Sequence, residues 1–340
     1  MITPAEHINA EEMMPRRDMR MAVVGVGGAG CNSISRLKKM GVEIETIAIN
    51  TDIRSLKSIT ADKKVWLKGT KGMGCGGVVS EGERAAIAAM DALKDILHGY
   101  DVIFLTVGLG GGTGTGASPV IAEIASKLGA IVVAVATMPF EWERMAAVKA
   151  KEGLKELIAR SHTVIVLDNN KLLEKARDVP MPRAFEVMDH LVAEVIKSVY
   201  DALTKPALIS INFQEFVNIV RKGGISTILF TDYVGHDPAK AVIETLNNPF
   251  MDVDYSNATG ALIHMTIGPE ETLETVYAIV EGITAQISPE AITSIGVRVS
   301  PEYEDRIRIL CVLTGIHIPY VDEKFVKNIE VMRNLNIPFL

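Results

Sequence analysis

Short uninterrupted apolar runs alternate along this chain with longer stretches whose apolar positions recur every three or four residues. The runs at 21–24, 47–50, 102–107, 131–137 and 163–167 read as buried strands of a parallel sheet, with the helical stretches between them covering its faces. Helix punctuation agrees: Gly41 and Gly129 stand as C-terminal stops, and Ser80 with Glu83 has capping-box spacing before the stretch AAIAAMDALKDIL. From 183 to 203 a long amphipathic stretch predicts one helix, stopped by Pro206. Beyond it, strands are expected at 226–231, 261–267, 294–299 and 307–313, with helices at 238–247 and 271–287. The pattern predicts an α/β protein with a doubly wound parallel-sheet domain, a long connecting helix, and a second, smaller α/β domain.

Two glycine-dense turns change the picture from fold to chemistry. GVGGAG at 25–30 follows the first strand, GLGGGTGTG at 108–116 follows the third, and each opens into an amphipathic helix. Glycine lets backbone approach an anion closely, and the N–H groups of a helix start carry partial positive charge, so each junction is a phosphate site. The first turn also matches G-x-G-x-x-G, with Asp52 at the end of the second strand as a ribose contact, which leaves a nicotinamide dehydrogenase open. A third glycine-rich stretch, GTKGMGCGG at 69–77, suits a triphosphate better than a bridging pyrophosphate. No Walker motif, G-x-x-x-x-G-K-[S/T], occurs, so phosphate charge would be met by backbone N–H groups, helix starts and a bound cation.

Composition narrows the partners. With 340 residues, 48% of them hydrophobic and 23% charged, the chain can bury a large core. A formal net charge of −7 and no basic tract argue against nucleic acid as a ligand. No apolar run reaches the length of a membrane span and the charged N-terminal stretch lacks a signal-peptide core, so a cytoplasmic protein is expected. Cys31, Cys75 and Cys311 have no metal-ligand spacing; they fit a reducing compartment, and no metal cage is expected.

In these residues the chain resembles the FtsZ/tubulin family, and within it an archaeal FtsZ-like cell-division GTPase with a divergent catalytic loop. GGGTGTG at 110–116 is that family's phosphate-loop motif, and GVGGAGCN at 25–32 is similar to its first nucleotide loop. Asn50-Thr51-Asp52, Thr137-Met138-Pro139-Phe140, and Asn169 ahead of Lys171-Leu172-Leu173 follow in the family's order. The resemblance runs from about 21 to 315 and divides the chain into an N-terminal extension (1–19), a GTP-binding domain (20–182), the long connecting helix (183–204), a catalytic loop with the helix after it (205–222), a C-terminal α/β domain (223–316) and a tail (317–340).

The resemblance implies GTP or GDP as ligand, with Mg2+, and a nucleotide set carried position by position. Gly27, Gly28, Ala29, Gly110, Gly111, Gly112, Thr113 and Gly114 would hold phosphates, Asp52, Cys75, Gly76 and Pro139 would line the pocket, and Asn32, Asn169 and Asp189 would read guanine and ribose. Phe185 and Asp189 lie four apart and share a helix face, so a ring can stack beside a carboxylate that accepts two guanine N–H donors. Glu143 and Arg144 would contact ribose and phosphate in a loop one residue shorter than its FtsZ counterpart, and the family's downstream arginine has no clear equivalent.

In the family, hydrolytic residues sit on a loop that enters the next subunit's pocket, so the resemblance implies head-to-tail filaments and assembly-dependent hydrolysis. The FtsZ pattern Asn-x-Asp-x-x-Asp reads Ser210-Ile211-Asn212-Phe213-Gln214-Glu215 here. Glu215, where α-tubulin also has a glutamate, keeps a carboxylate able to orient or deprotonate water, whereas Asn212 can only hold one. A GTP-binding filament scaffold with little hydrolysis is therefore a second expectation. The ending Asn336-Ile337-Pro338-Phe339-Leu340 resembles the peptide with which FtsZ docks on adaptors and membrane anchors, which implies recruitment to the inner face of the membrane at a division site.

Overall fold

The computed structural model describes residues 19–171, 180–247, 253–322 and 325. Ten strands form one sheet in the order β3-β2-β1-β4-β5-β6-β7-β10-β8-β9. Its first half consists of β1 (Met21–Val26), β2 (Glu45–Asn50), β3 (Lys63–Trp66), β4 (Val102–Gly108), β5 (Ile131–Met138) and β6 (Thr163–Asp168). These six pair only in parallel. Ala22, Val24 and Val26 enter one core and Met21 and Val23 the other, so both faces of β1 are dry and its sequence carries no polar alternation.

Helices α3 (Val79–Ala88), α4 (Met90–Leu97), α5 (Gly112–Lys127) and α6 (Arg144–Arg160) supply the first core. The second lies under α1 (Gly27–Lys39), the short α2 (Ile53–Ser58) and the long helix α7 (Met181–Thr204). Lys205 is extended at φ −85° and ψ 145°, as the residue before Pro206 must be, and this ends α7. Helix α8 (Phe213–Arg221) leads into β7 (Ile225–Val234), which joins β6 through only two register pairs, Val164 with Ile225 and Ile165 with Ser226.

The remaining elements are α9 (Pro238–Leu246), β8 (Gly260–Ile267), α10 (Leu273–Thr284), β9 (Ile292–Val299) and β10 (Arg306–Thr314). Here the sheet is mixed: β10 is antiparallel to β7 and β8, and β8 is parallel to β9. Two sequence expectations need correction. The helix read as capped by Ser80 starts one residue earlier, at Val79 with Val78 as its uncapped N-cap, so Ser80 and Glu83 lie inside it; it also breaks at Ala89 into two. The C-terminal peptide 336–340 lies outside the described residues.

Candidate nucleotide site

The order β2-β1-β4 reverses the direction of winding between β1 and β4, and ligands of open α/β sheets sit beyond the strand ends at such a switch. Both glycine turns leave from there. The cleft between them has a volume of about 360 Å³. Helices α1 and α5 start at this cleft with Val26 and Gly111 as N-caps, and neither cap residue makes a side-chain hydrogen bond to the first turn. Their first-turn N–H groups are therefore available to an anion.

What a Cβ would meet separates the glycines by role. At Gly30 it would lie 2.2 Å from the Thr106 carbonyl oxygen and at Gly25 2.4 Å from that of Gly30, so these two let α1 press on the sheet. Gly27 has φ +73° and makes the turn. Gly28 and Gly111 differ: both line the cleft, and a Cβ on either would meet no protein atom within 4 Å. Gly111 has an ordinary φ of −81°, so neither strain nor packing against the described residues accounts for it. The open volume beside it is the cleft itself.

Ala29, Gly112, Thr113 and Gly114 also line the cleft. The Thr113 hydroxyl is 2.6 Å from that of Thr51 and donates to the Cys75 sulfur at 3.4 Å, which joins the phosphate loop, the end of β2 and the third loop. Cys75 and Gly77 bring that third loop to the cleft wall, held by the Lys149 ammonium, which donates to the Gly77 carbonyl at 2.7 Å. Gly110 and Gly76 are not on the lining. A Cβ at Gly110 would strike Ala146 of α6 at 2.8 Å, so its task is packing. Asp52, expected at the ribose, caps α2: its Oδ1 accepts from the N–H groups of Arg54 and Ser55.

At the other end, Pro139, Glu143 and Asn169 form the wall. The Glu143 carboxylate accepts from the Phe140 N–H at 3.2 Å and fixes the loop after β5. The Asn169 side chain is buried, and its Oδ1 has no partner among the described residues, an acceptor left to a ligand donor. Phe140 stacks on Trp142 with ring centroids 4.1 Å apart and meets Phe185 edge-on at 5.7 Å, so α7 presents a half-exposed ring beside the cleft loop.

Asp189, one turn on, accepts from the Ser33 hydroxyl of α1 at 2.9 Å. Burial pushes its carboxyl above the usual range, against the pull of the Ser33 hydrogen bond and of Arg36. Asn32, Arg144, Phe185 and Asp189 all stand off the lining, and Arg144 is exposed. Gly77, Gly108 and Leu109 of the glycine-rich stretches and Thr137 of the family motif are on the lining although the sequence reading assigned none of them individually, and Lys149, which it did not single out, donates to Gly77. Gly108 and Thr137 sit at the carboxyl ends of β4 and β5, a position that itself could have flagged them.

Neither Asn212 nor Glu215 lines this cleft. They form a capping box at the start of α8: Glu215 N–H donates to Asn212 Oδ1 at 2.9 Å, and Asn212 N–H to Glu215 Oε2 at 3.4 Å. Asn212 Nδ2 also donates to Glu215 Oε1 at 2.6 Å, and the Ser294 hydroxyl of β9 donates to Oε2 at 2.7 Å. Both carboxylate oxygens thus accept hydrogen bonds from within their own chain.

A parallel sheet whose switch point carries two uncapped helix starts, ligand-facing glycines and an orphaned amide oxygen defines a nucleotide-phosphate-binding protein. Residues 20–177 match the GTPase domain of the tubulin/FtsZ family and residues 224–317 the FtsZ family C-terminal domain. Cell division protein FtsZ 2 of Haloferax volcanii is 42% identical over 303 residues, 88% of this chain and 76% of that protein. Cell division protein FtsZ 2 of Methanocaldococcus jannaschii is 43% identical over 317 residues, 91% and 83% of the two chains. An FtsZ dimer structure from M. jannaschii superposes with a TM-score of 0.80 at 38% identity, covering 88% of this chain and 89% of that one. The GTPγS-bound protofilament of CetZ2 from H. volcanii, at 21% identity, shares the fold with a TM-score of 0.77 over 94% and 99% of the chains. The chain belongs to the tubulin/FtsZ family. It is a GTPase, and its nucleotide is GTP or GDP. This does not favour the nicotinamide reading, which rested on the G-x-G-x-x-G match of the first glycine turn with Asp52 as a ribose contact.

Proposed function

We propose that this chain is an FtsZ-type cell-division GTPase that polymerises head to tail and hydrolyses GTP where the catalytic loop of one copy meets the cleft of the next. The observation that carries the reading is the pair Gly28 and Gly111, whose missing side chains leave space that no atom of the chain uses. In it, the first turns of α1 and α5 bind the phosphates through N–H groups and helix dipoles. Asn169 Oδ1 accepts from the nucleoside, Phe185 packs against the base, and Asp189 accepts from guanine N–H donors that adenine does not present as a pair. Mg2+ arriving with the triphosphate offsets its charge.

Glu215 acts on the neighbour's nucleotide, orienting or deprotonating the attacking water, and Asn212 holds that water by hydrogen bonds. No helix among the described residues is long and apolar enough to cross a membrane. Work at the cytoplasmic face of a division site would then fall to an adaptor or membrane anchor that takes the C-terminal peptide. The test is light scattering with GTP, GDP, ATP and no nucleotide, followed by phosphate assay of the same samples. Growth of scattering with GTP alone, with phosphate release rising faster than linearly with protein concentration, is the expected result. Assembly indifferent to the nucleotide, or release linear in protein, rejects the reading.

A further inference from the structure

The charge balance of the cleft is unusual. Among the described residues, Glu143 is the one charged side chain on its lining, although a nucleotide triphosphate brings several negative charges into it. Backbone N–H groups and helix starts supply partial charges only. Arg144, the cation expected from sequence, is exposed and off the lining.

Lys149 is placed differently. It lies on α6, three residues beyond Ala146, so the two share a helix face. Ala146 abuts the phosphate loop, because a Cβ at Gly110 would lie 2.8 Å from its own Cβ. Lys149 spans from that face to the third loop, and its Nζ donates to the carbonyl of cleft-lining Gly77 at 2.7 Å. An ammonium has three donors. One is engaged by Gly77, and the ammonium stands only 3.5 Å from where a Gly77 Cβ would be.

We propose that Lys149 is the specificity-determining cation of this site: it ties the third loop to α6 and offers its remaining donors to the terminal phosphate, so that the cleft distinguishes a nucleoside triphosphate from a diphosphate. The proposal rests on the guanine-nucleotide reading above and adds to it the group that reads the phosphate count. A full charge near the terminal phosphate favours the triphosphate far more than the diphosphate. A mere brace of the loop would affect both alike.

The test is equilibrium titration of the full chain with GDP and with the slowly hydrolysed analogue GTPγS, for the unmutated protein, Lys149→Met and Lys149→Arg, with the melting temperature of each measured without nucleotide. Methionine keeps the apolar stem and removes the charge; arginine keeps the charge. Loss of a hydrogen bond to a charged group corresponds to roughly a 10- to 100-fold weaker interaction. The expected result is a loss of that size for GTPγS in Lys149→Met, a change in GDP affinity of less than about threefold, since its phosphates stay on the N–H groups, and recovery of most of the GTPγS affinity in Lys149→Arg. Equal losses for the two nucleotides, with or without a lower melting temperature, assign Lys149 to bracing and overturn the proposal, as does unchanged GTPγS affinity. An unmutated protein that binds neither nucleotide instead rejects the reading on which the proposal stands.

Discussion

Replacing Gly28 with alanine separates binding from stability, because the two are expected to move in opposite directions. Gly28 is the second residue of α1, and its Cβ would meet no protein atom within 4 Å. Alanine is the better helix former by at most about 1 kcal/mol, less in a first turn, so the free protein should melt up to about 1.5 °C higher. The same methyl group enters the cleft that Gly28 lines. Displacing a phosphate from even one backbone N–H forfeits a hydrogen bond to a charged group, ~1.5–3 kcal/mol, or roughly 10- to 150-fold in GTP affinity. Thermal shift with and without GTP reads both effects at once, since each tenfold loss in affinity removes ~1.4 kcal/mol of ligand stabilisation at saturating nucleotide. Gly30→Ala is the control: its methyl would lie 2.2 Å from the Thr106 carbonyl, and such overpacking costs about 1–3 kcal/mol of fold stability. Undiminished GTP-induced stabilisation in Gly28→Ala would refute the argument that the cleft, and not the chain, requires glycine there.

Three further outcomes are expected. Asp189→Asn keeps an acceptor for the Ser33 hydroxyl but presents one acceptor where guanine needs two, so GTP should bind ~1–3 kcal/mol more weakly with the fold intact; equal GTP and ATP affinities in the unmutated protein would sink the assignment. In Glu215→Gln the capping box survives, since glutamine can take the same role at that position, so filaments should still form while turnover falls at least about tenfold, towards the ~10²–10⁴-fold of a lost general base; a turnover assay above the assembly threshold that finds no change removes Glu215 from catalysis. Burial of His264, aided by Arg298, lowers its pKa from 6.5 to about 4 against the pull of Asp201. The unfolded chain then binds the extra proton first, so up to ~3 kcal/mol of stability is lost as pH falls from about 6.5 towards 4; denaturant melts of His264→Gln should lack that slope, and a parallel slope in the variant would show that other groups cause it.

The strands of the first half were legible because sheets buried on both faces leave unbroken apolar runs, as in residues 102–107. The edge strand β3, Lys-Lys-Val-Trp, was not legible, since it is short, polar and only partly buried. The break at Ala89 carries no glycine or proline and so gave no local signal. For the site, the glycine turns announced phosphate chemistry, but the sequence does not tell which glycine faces the ligand. Gly112 stands beside Gly111 in the motif, yet a Cβ there would lie 2.6 Å from the Cys75 Cβ and 2.9 Å from the backbone of Val78. It therefore serves loop packing, and its substitution would disturb the third loop before it reached any phosphate. Such distinctions depend on contacts between residues far apart in the chain.

The same limit governs Glu215, and its consequence is mechanistic. Sequence places an acid at a helix start; only the fold brings Ser294 of β9 and the Asn212 amide to its two oxygens. In the free subunit this carboxylate is oriented by hydrogen bonds from donors of its own chain. In the proposed role it must share or exchange those donors for a water molecule when it meets a neighbour's phosphates. On the role proposed for Glu215, coupling of hydrolysis to assembly follows from two properties of one side chain, its absence from the lining of its own cleft and its engagement in its own cap.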